Sequence, residues 1–191
     1  MLRIIKALPV VLSILFLVNC SQKENTTHRA EQKSEKESLA RGNVQKNITN
    51  YQKYTGAWFE IEYPERFIVE PSLKSSTNVE GFDSALFTSP DGKVRFYIFS
   101  PQWAGKPEDI SLKSSDEILT DSSSAVNNGL TIKRWTIAAK DGSYFRSYES
   151  TSETPGNIGK VVGISYAENK YLEIYKKEYL HFKNSLQQFA D

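Results

Sequence analysis

The feature that most constrains this chain is its single cysteine, Cys20, which ends an apolar leader and has no counterpart downstream. Arg3 and Lys6 open the leader, Ala7 to Val18 is apolar apart from Ser13, and Leu17-Val18-Asn19-Cys20 closes it. A basic start, an apolar centre and a cleavage region read as a secretory signal over residues 1–19. Ala7 to Val18 is shorter than the roughly 17–25 apolar residues that a membrane helix needs. Beyond Cys20 no disulfide can form within the chain, even in an oxidising compartment. The folded part must therefore hold by packing, for which ten Tyr, ten Phe and three Trp supply the area.

The Leu17-Val18-Asn19-Cys20 segment resembles the lipobox of bacterial lipoproteins, where a leucine lies three positions before an invariant cysteine. The resemblance implies cleavage ahead of Cys20, a diacylglyceryl group on its thiol and an acyl chain on the freed amine. Asn19 stands where most lipoboxes carry Gly, Ala or Ser. Ordinary secretion is the competing reading, although Leu17-Val18-Asn19 is not a small-x-small cleavage site. Each buried methylene contributes about 0.8 kcal/mol, so two or more chains hold a domain on a membrane where one does not. Ser21 follows the cysteine where inner-membrane retention signals place Asp. By the common sorting rule that favours the outer membrane of a bacterial envelope, with the periplasmic or surface face left open.

Residues 20–50 are expected to form a lipidated, disordered tether. Ser21 to Asn50 has no Phe, Tyr or Trp and cannot bury enough apolar surface to offset the entropy of ordering it. A flexible chain of this size spans about 30 Å on average. The globular domain is expected over 51–191. With 24 basic and 23 acidic residues, the chain has no basic footprint for nucleic acid.

Within the domain, Ala57 to Tyr63 alternates, with Phe59, Ile61 and Tyr63 on one face and Trp58, Glu60 and Glu62 on the other, as in a half-buried strand. Pro64 ends it, and a short strand follows at Phe67 to Val69. Ser84 to Thr88 and Val94 to Phe99 form a hairpin around Ser89-Pro90-Asp91-Gly92, which has the residue preferences of a type I turn. Asp109 to Asn128 is Ser/Asp-rich and weakly patterned, with a helical turn expected around Asp116 to Leu119. Asn128-Gly129 is a turn. Thr131 to Ala139 and Tyr144 to Thr151 form a second hairpin, and Lys160 to Tyr166 is the last strand. Leu172, Tyr175, Tyr179, Phe182, Leu186 and Phe189 recur at helical spacing, with Asn169 as N-cap. The reading is α+β: an antiparallel sheet of about six strands covered by a C-terminal helix.

Two segments resemble the PsbP-like fold, which also contains the Mog-type Ran-binding proteins. One is the opening, Phe59 to Phe67, where an alternating strand runs into a proline and then a second aromatic-led strand; Glu65-Arg66 replaces the Gly-Trp common in relatives. The other is the closing strand and helix, ending in Ser185-Leu186. The resemblance implies an α+β sandwich used for assembly or partner binding, and it carries over no catalytic residues.

Motifs for chemistry are sparse. His28 falls in the tether and His181 on the terminal helix beside its apolar stripe. No nucleophile elbow, phosphate loop or dinucleotide fingerprint occurs, so no catalytic residue, metal or cofactor is expected. Glu60 and Glu62 share a strand face and read as solvated, and Asp116, Glu117 and Asp121 lack the rest of a calcium loop. Arg, Tyr and Trp are enriched at binding hot spots. Arg95, Tyr97, Arg134 and Arg146 on the middle strands and Trp103 on a Pro-flanked loop are therefore the candidate binding residues, with Trp135, Tyr144 and Tyr148 nearby. The expected function is a non-catalytic binding or assembly module, attached to the membrane through Cys20 and engaging an envelope protein. The alternative is a small-ligand site, for a lipid or glycan, between sheet and helix. A hydrolase ranks third and would need two ionisable groups converging in a cleft.

Overall fold

The computed structural model describes residues 49–103, 105–153 and 159–189. The signal segment, Cys20, nearly all of the tether and the Pro155-Gly156 loop lie outside them. Thr49 and Asn50 already engage the domain: Thr49 Oγ1 donates to Glu178 Oε1 and Glu65 N–H donates to Asn50 O.

The strands are β1 (Tyr51–Thr55), β2 (Phe59–Pro64), β3 (Ile68–Pro71), β4 (Ser84–Thr88), β5 (Val94–Phe99), β6 (Glu117–Asn127), β7 (Leu130–Ala139), β8 (Phe145–Glu153), β9 (Gly159–Tyr166) and β10 (Gln187–Gln188). One helix, α1 (Asn169–Asn184), precedes β10. Seven strands form an antiparallel sheet in the order β3-β4-β5-β9-β8-β7-β6, and β1-β2-β10 form a second, smaller one. The fold is α+β, as the alternating strands and the striped helix require.

Alternation along β5 sorts its residues cleanly. Val94, Phe96 and Ile98 face inward with Ala85 and Phe87 of β4 and Val162 and Ile164 of β9. Onto this face pack Phe59, Ile61 and Tyr63 of β2 and Tyr175 and Phe182 of α1. Phe59, Phe87, Phe96 and Phe182 are fully buried, and the Phe182 ring centre lies 5.1 Å from that of Phe87 and 5.2 Å from that of Phe96. The space between sheet and helix is thus filled by rings, which leaves no room there for the small-ligand pocket expected at that place.

The turns follow their residue chemistry. At Ser89-Pro90-Asp91-Gly92, Gly92 N–H donates to Ser89 O at 2.9 Å, and Asp91 Oδ1 accepts from the Ser89 hydroxyl and the Lys93 N–H. At Asn128-Gly129 both residues adopt positive φ, 48° and 79°. That is the two-residue turn whose twist matches its flanking strands.

Four local expectations differ from the structure, the smallest at Asn169, which is the first residue of α1 while Glu168 takes the N-cap position without a side-chain cap bond. Where a helical turn was expected around Asp116 to Leu119, β6 begins and runs to Asn127, paired with β7 throughout. After Glu117 every residue of β6 is exposed, so no buried face stamps an apolar alternation on the sequence. The helix ends at Asn184, short of Phe189. Ser185 Oγ donates to Phe182 O and accepts the Glu62 N–H, each at 2.9 Å, and the chain then adds β10 to the edge of β2. Trp58, expected beside the solvated Glu60 and Glu62, is buried, because the loop after β3 folds over it and Ser75 and Thr77 hydroxyls accept its indole N–H.

Candidate functional site

The outer face of the large sheet carries the site. Leu86, Tyr97, Gly163, Tyr148 and Trp135 oppose one another across five strands in one row. The adjacent row runs Arg95, Ser165, Arg146 and Ile137. At Gly163 a Cβ would lie 2.2 Å from Tyr148 Cδ1, so only glycine lets that ring cross the strand. Trp135 stacks on Tyr148 at 5.3 Å, and Tyr97 meets it edge-on at 5.9 Å.

A strap covers part of this face. It contains a single 3-10 turn, Glu108–Ile110, and leads into β6. Ile110 packs into the cluster of Tyr97, Phe99, Tyr148 and Val161. Asp109 pins one end: Oδ1 accepts from Tyr97 OH at 2.6 Å, and Oδ2 accepts from the Ser72 and Ser84 hydroxyls at 2.8 and 3.0 Å. Burial and the Asp109 carboxylate push the Tyr97 phenol far above its ordinary pKa.

Arg146 pins the other end. Only 8% exposed, it donates from Nε to Glu117 Oε1, from Nη1 to Ile110 O and Tyr148 OH, and from Nη2 to Ser111 O and Glu117 Oε2. A guanidinium has five N–H groups, and all five are used. Glu117 is 3% exposed and also accepts from Tyr144 OH and the Lys113 N–H. Burial alone would raise its carboxyl pKa; hydrogen bonds from Arg146, Lys113 and Tyr144, with the guanidinium charge, outweigh that and hold it down at about 2.

Between strap and sheet lies a cavity of about 450 Å³, within the size range of small-molecule sites. Of the residues singled out from sequence, Arg95, Tyr97, Tyr144, Arg146 and Tyr148 line it together. Arg134 does not. It sits on the other face, its Nε on Glu149 Oε2 at 2.7 Å, and Lys183 of α1 shares that carboxylate at 2.8 Å. Trp103 is 55% exposed on its loop and is not part of the cavity wall. Arg146 and Tyr97 serve the fold here, which takes them out of the set able to grip a ligand.

What remains is cationic. Arg95 is exposed and gives its Nε to Thr88 Oγ1 at 3.2 Å, directing the terminal fork elsewhere. Lys93 and Lys113 stand on the same cavity wall. Among the described residues none of the three forms an ion pair. Sequence reading missed Lys93, Lys113, Asp109 and Glu117, since nothing local tells a buried carboxylate from a loop one; Glu117 meets an arginine 29 positions away.

Elsewhere Glu60 takes Lys53 at 2.7 Å, and Glu62 takes His181 at 2.7 Å, whose ring stacks on Tyr51 at 3.7 Å. No group of His, Cys, Asp or Glu able to hold a metal occurs among the described residues, nor any helix long and apolar enough to cross a membrane.

No family model matches the chain, and no curated protein sequence does. Among solved structures it is similar to cyanobacterial PsbP (CyanoP) from Synechocystis, at 13% identity and a TM-score of 0.42, covering 78% of this chain and 96% of that one. It is also similar to the Ran-binding protein Mog1p of Saccharomyces cerevisiae, at 9% identity and a TM-score of 0.38, covering 75% of this chain and 97% of that one. What the cleft does is argued below from its own residues.

Proposed function

We propose that the protein is a lipid-anchored module of the cell envelope that binds and assembles, and that its outer-face cleft is the binding site. The observation that carries this reading is the saturation of the cleft's own ionisable groups. Two pairs converge there, Tyr97 with Asp109 and Arg146 with Glu117, as an acid-base site would require. Yet Glu117 stays a carboxylate down to about pH 2 and the Tyr97 phenol stays protonated well above neutrality. General acid-base catalysis needs a group poised near the working pH. These pairs hold the strap, and the free cations beside them are suited to recognition. The small-ligand alternative moves with the cavity, from the filled sheet-helix interface to the outer face.

Attachment rests on the Leu17-Val18-Asn19-Cys20 segment, and the outer membrane on Ser21. Intact-mass measurement of the chain extracted from membranes tests it. A mass that begins at Cys20 and carries three acyl chains is expected, with Cys20→Ser leaving the protein unacylated. Binding is tested in cells with the full chain carrying a photocrosslinking residue at Lys93 or Lys113, both on the cavity wall. Adducts at these positions, and none from a control at Val126, are expected; equal labelling at all three would overturn the reading.

A further inference from the structure

Resting on that reading of the cleft, the geometry points to the chemical class of its ligand: we propose that it binds a small organic anion, whose carboxylate or phosphate sits in the fork of Arg95. Four charged side chains other than Arg95 bear on the cavity, apart from Lys93: Lys113, Asp109, Glu117 and Arg146. Glu117 neutralises Arg146, and Asp109 has both oxygens occupied by Tyr97, Ser72 and Ser84. Those hydroxyls occupy Asp109 without cancelling its charge, but Lys93, Arg95 and Lys113 outnumber it, so the cavity is net positive.

Geometry narrows the class further. Arg95 and Ser165 both line the cavity as direct cross-strand partners, their strands about 5 Å apart, and the Arg95 side chain leans the other way, toward Thr88 of β4. With Nε engaged by Thr88, the guanidinium is oriented and presents its terminal nitrogens together, the arrangement that grips carboxylate or phosphate through two parallel bonds. Lys93 and Lys113 approach from the turn before β5 and from the strap, as point charges without that directionality. Behind the charges the wall is apolar: Leu86, Ile110 and the rings of Tyr97 and Tyr148. A cavity of about 450 Å³ is larger than an inorganic ion needs, so an uncharged body against these side chains accompanies the charged group.

The test is calorimetric titration of the full chain in detergent with benzoate and phenyl phosphate, against the neutral isosteres benzamide and phenol. Binding of the anions and not of the isosteres is expected, weakening several-fold as salt rises, because the gripping charges are exposed. Arg95→Ala should lower anion affinity about tenfold or more, the loss of a charge-assisted pair. Arg95→Lys should recover only part of it, keeping the charge and losing the fork. Arg134→Ala, on the opposite face, should leave it unchanged. Arg95 is exposed, so its variants should melt like the parent. Equal affinity for anions and isosteres, an unaltered Arg95→Ala, or no binding of either anion at 10 mM overturns the inference. Position-specific crosslinks in that case would leave the binding reading standing, with a different ligand class.

Discussion

Arg146 and Asp83 show how differently two buried charges can be treated. Arg146 has five acceptors for five donors, two on the strap, two on Glu117 at the start of β6 and one on Tyr148. Asp83 Oδ1, also buried, has no hydrogen-bond partner among the described residues. Its burial raises the carboxyl pKa against the nearby Ser75 hydroxyl and Ser76 N–H, which lower it. Removing one member of a buried pair strands the other, so Arg146→Met should cost about 3–5 kcal/mol in urea unfolding. Arg146→Met with Glu117→Leu should recover much of that loss. Asp83→Asn should do the reverse and stabilise by about 1 kcal/mol at neutral pH, since it removes an unmatched buried charge. A carboxyl with a raised folded pKa costs stability above that pKa, so the gain should shrink on acidification. A loss from Asp83→Asn at neutral pH would mean that the charge has a partner there.

At the scale of elements, what was legible in the sequence follows burial. β2 and α1 each bury one face and leave the other partly wet, so alternation or a stripe is printed on their residues, whereas β5 is buried on both faces except at Arg95. β6 is solvated on both faces and held by backbone pairing to β7. Nothing in Thr120-Asp121-Ser122-Ser123-Ser124 announces it except the Asn128-Gly129 turn that follows. The cleft was half legible for the same reason. Arg95 and Tyr97 lie on a readable strand, but the strap that makes a cavity of the surface is irregular chain fixed by side chains from distant strands. Ser185 is the exception, a terminal motif whose purpose becomes plain only in place, joining α1 to β2 through Phe182 O and the Glu62 N–H. Ser185→Ala should therefore cost about 1 kcal/mol, the loss of one buried acceptor. Phe182→Ala should cost about 3–5 kcal/mol, since it empties the centre of the ring cluster. Urea unfolding of both variants checks the ranking, and equal costs would contradict it.

For the whole molecule, acid is the informative stress, because the two faces of the large sheet are tied to carboxylates in different ways. On the outer face Glu117 is buried, and its folded pKa of about 2 lies below the ordinary value of 4.5. On the inner face burial raises the Glu149 pKa, but Lys183 and Arg134 outweigh it and lower the net value. A depressed carboxyl pKa contributes stability that is complete above the unfolded value and disappears as pH falls through the folded one. Glu117 alone accounts for about 3 kcal/mol at neutral pH on that linkage. Stability should thus be flat from about pH 7 to pH 5 and decline between about pH 4.5 and pH 2. The strap should loosen in that window along with the strand it feeds, since the same carboxylate closes both. In the Arg146→Met/Glu117→Leu variant the acid-induced loss should be smaller by about the same 3 kcal/mol, leaving the contribution of Glu149 and the remaining acids. Urea midpoints measured from pH 7 to pH 3 decide the matter. An unchanged acid slope in the double variant would mean that Glu117 is not what ties the strap to the sheet.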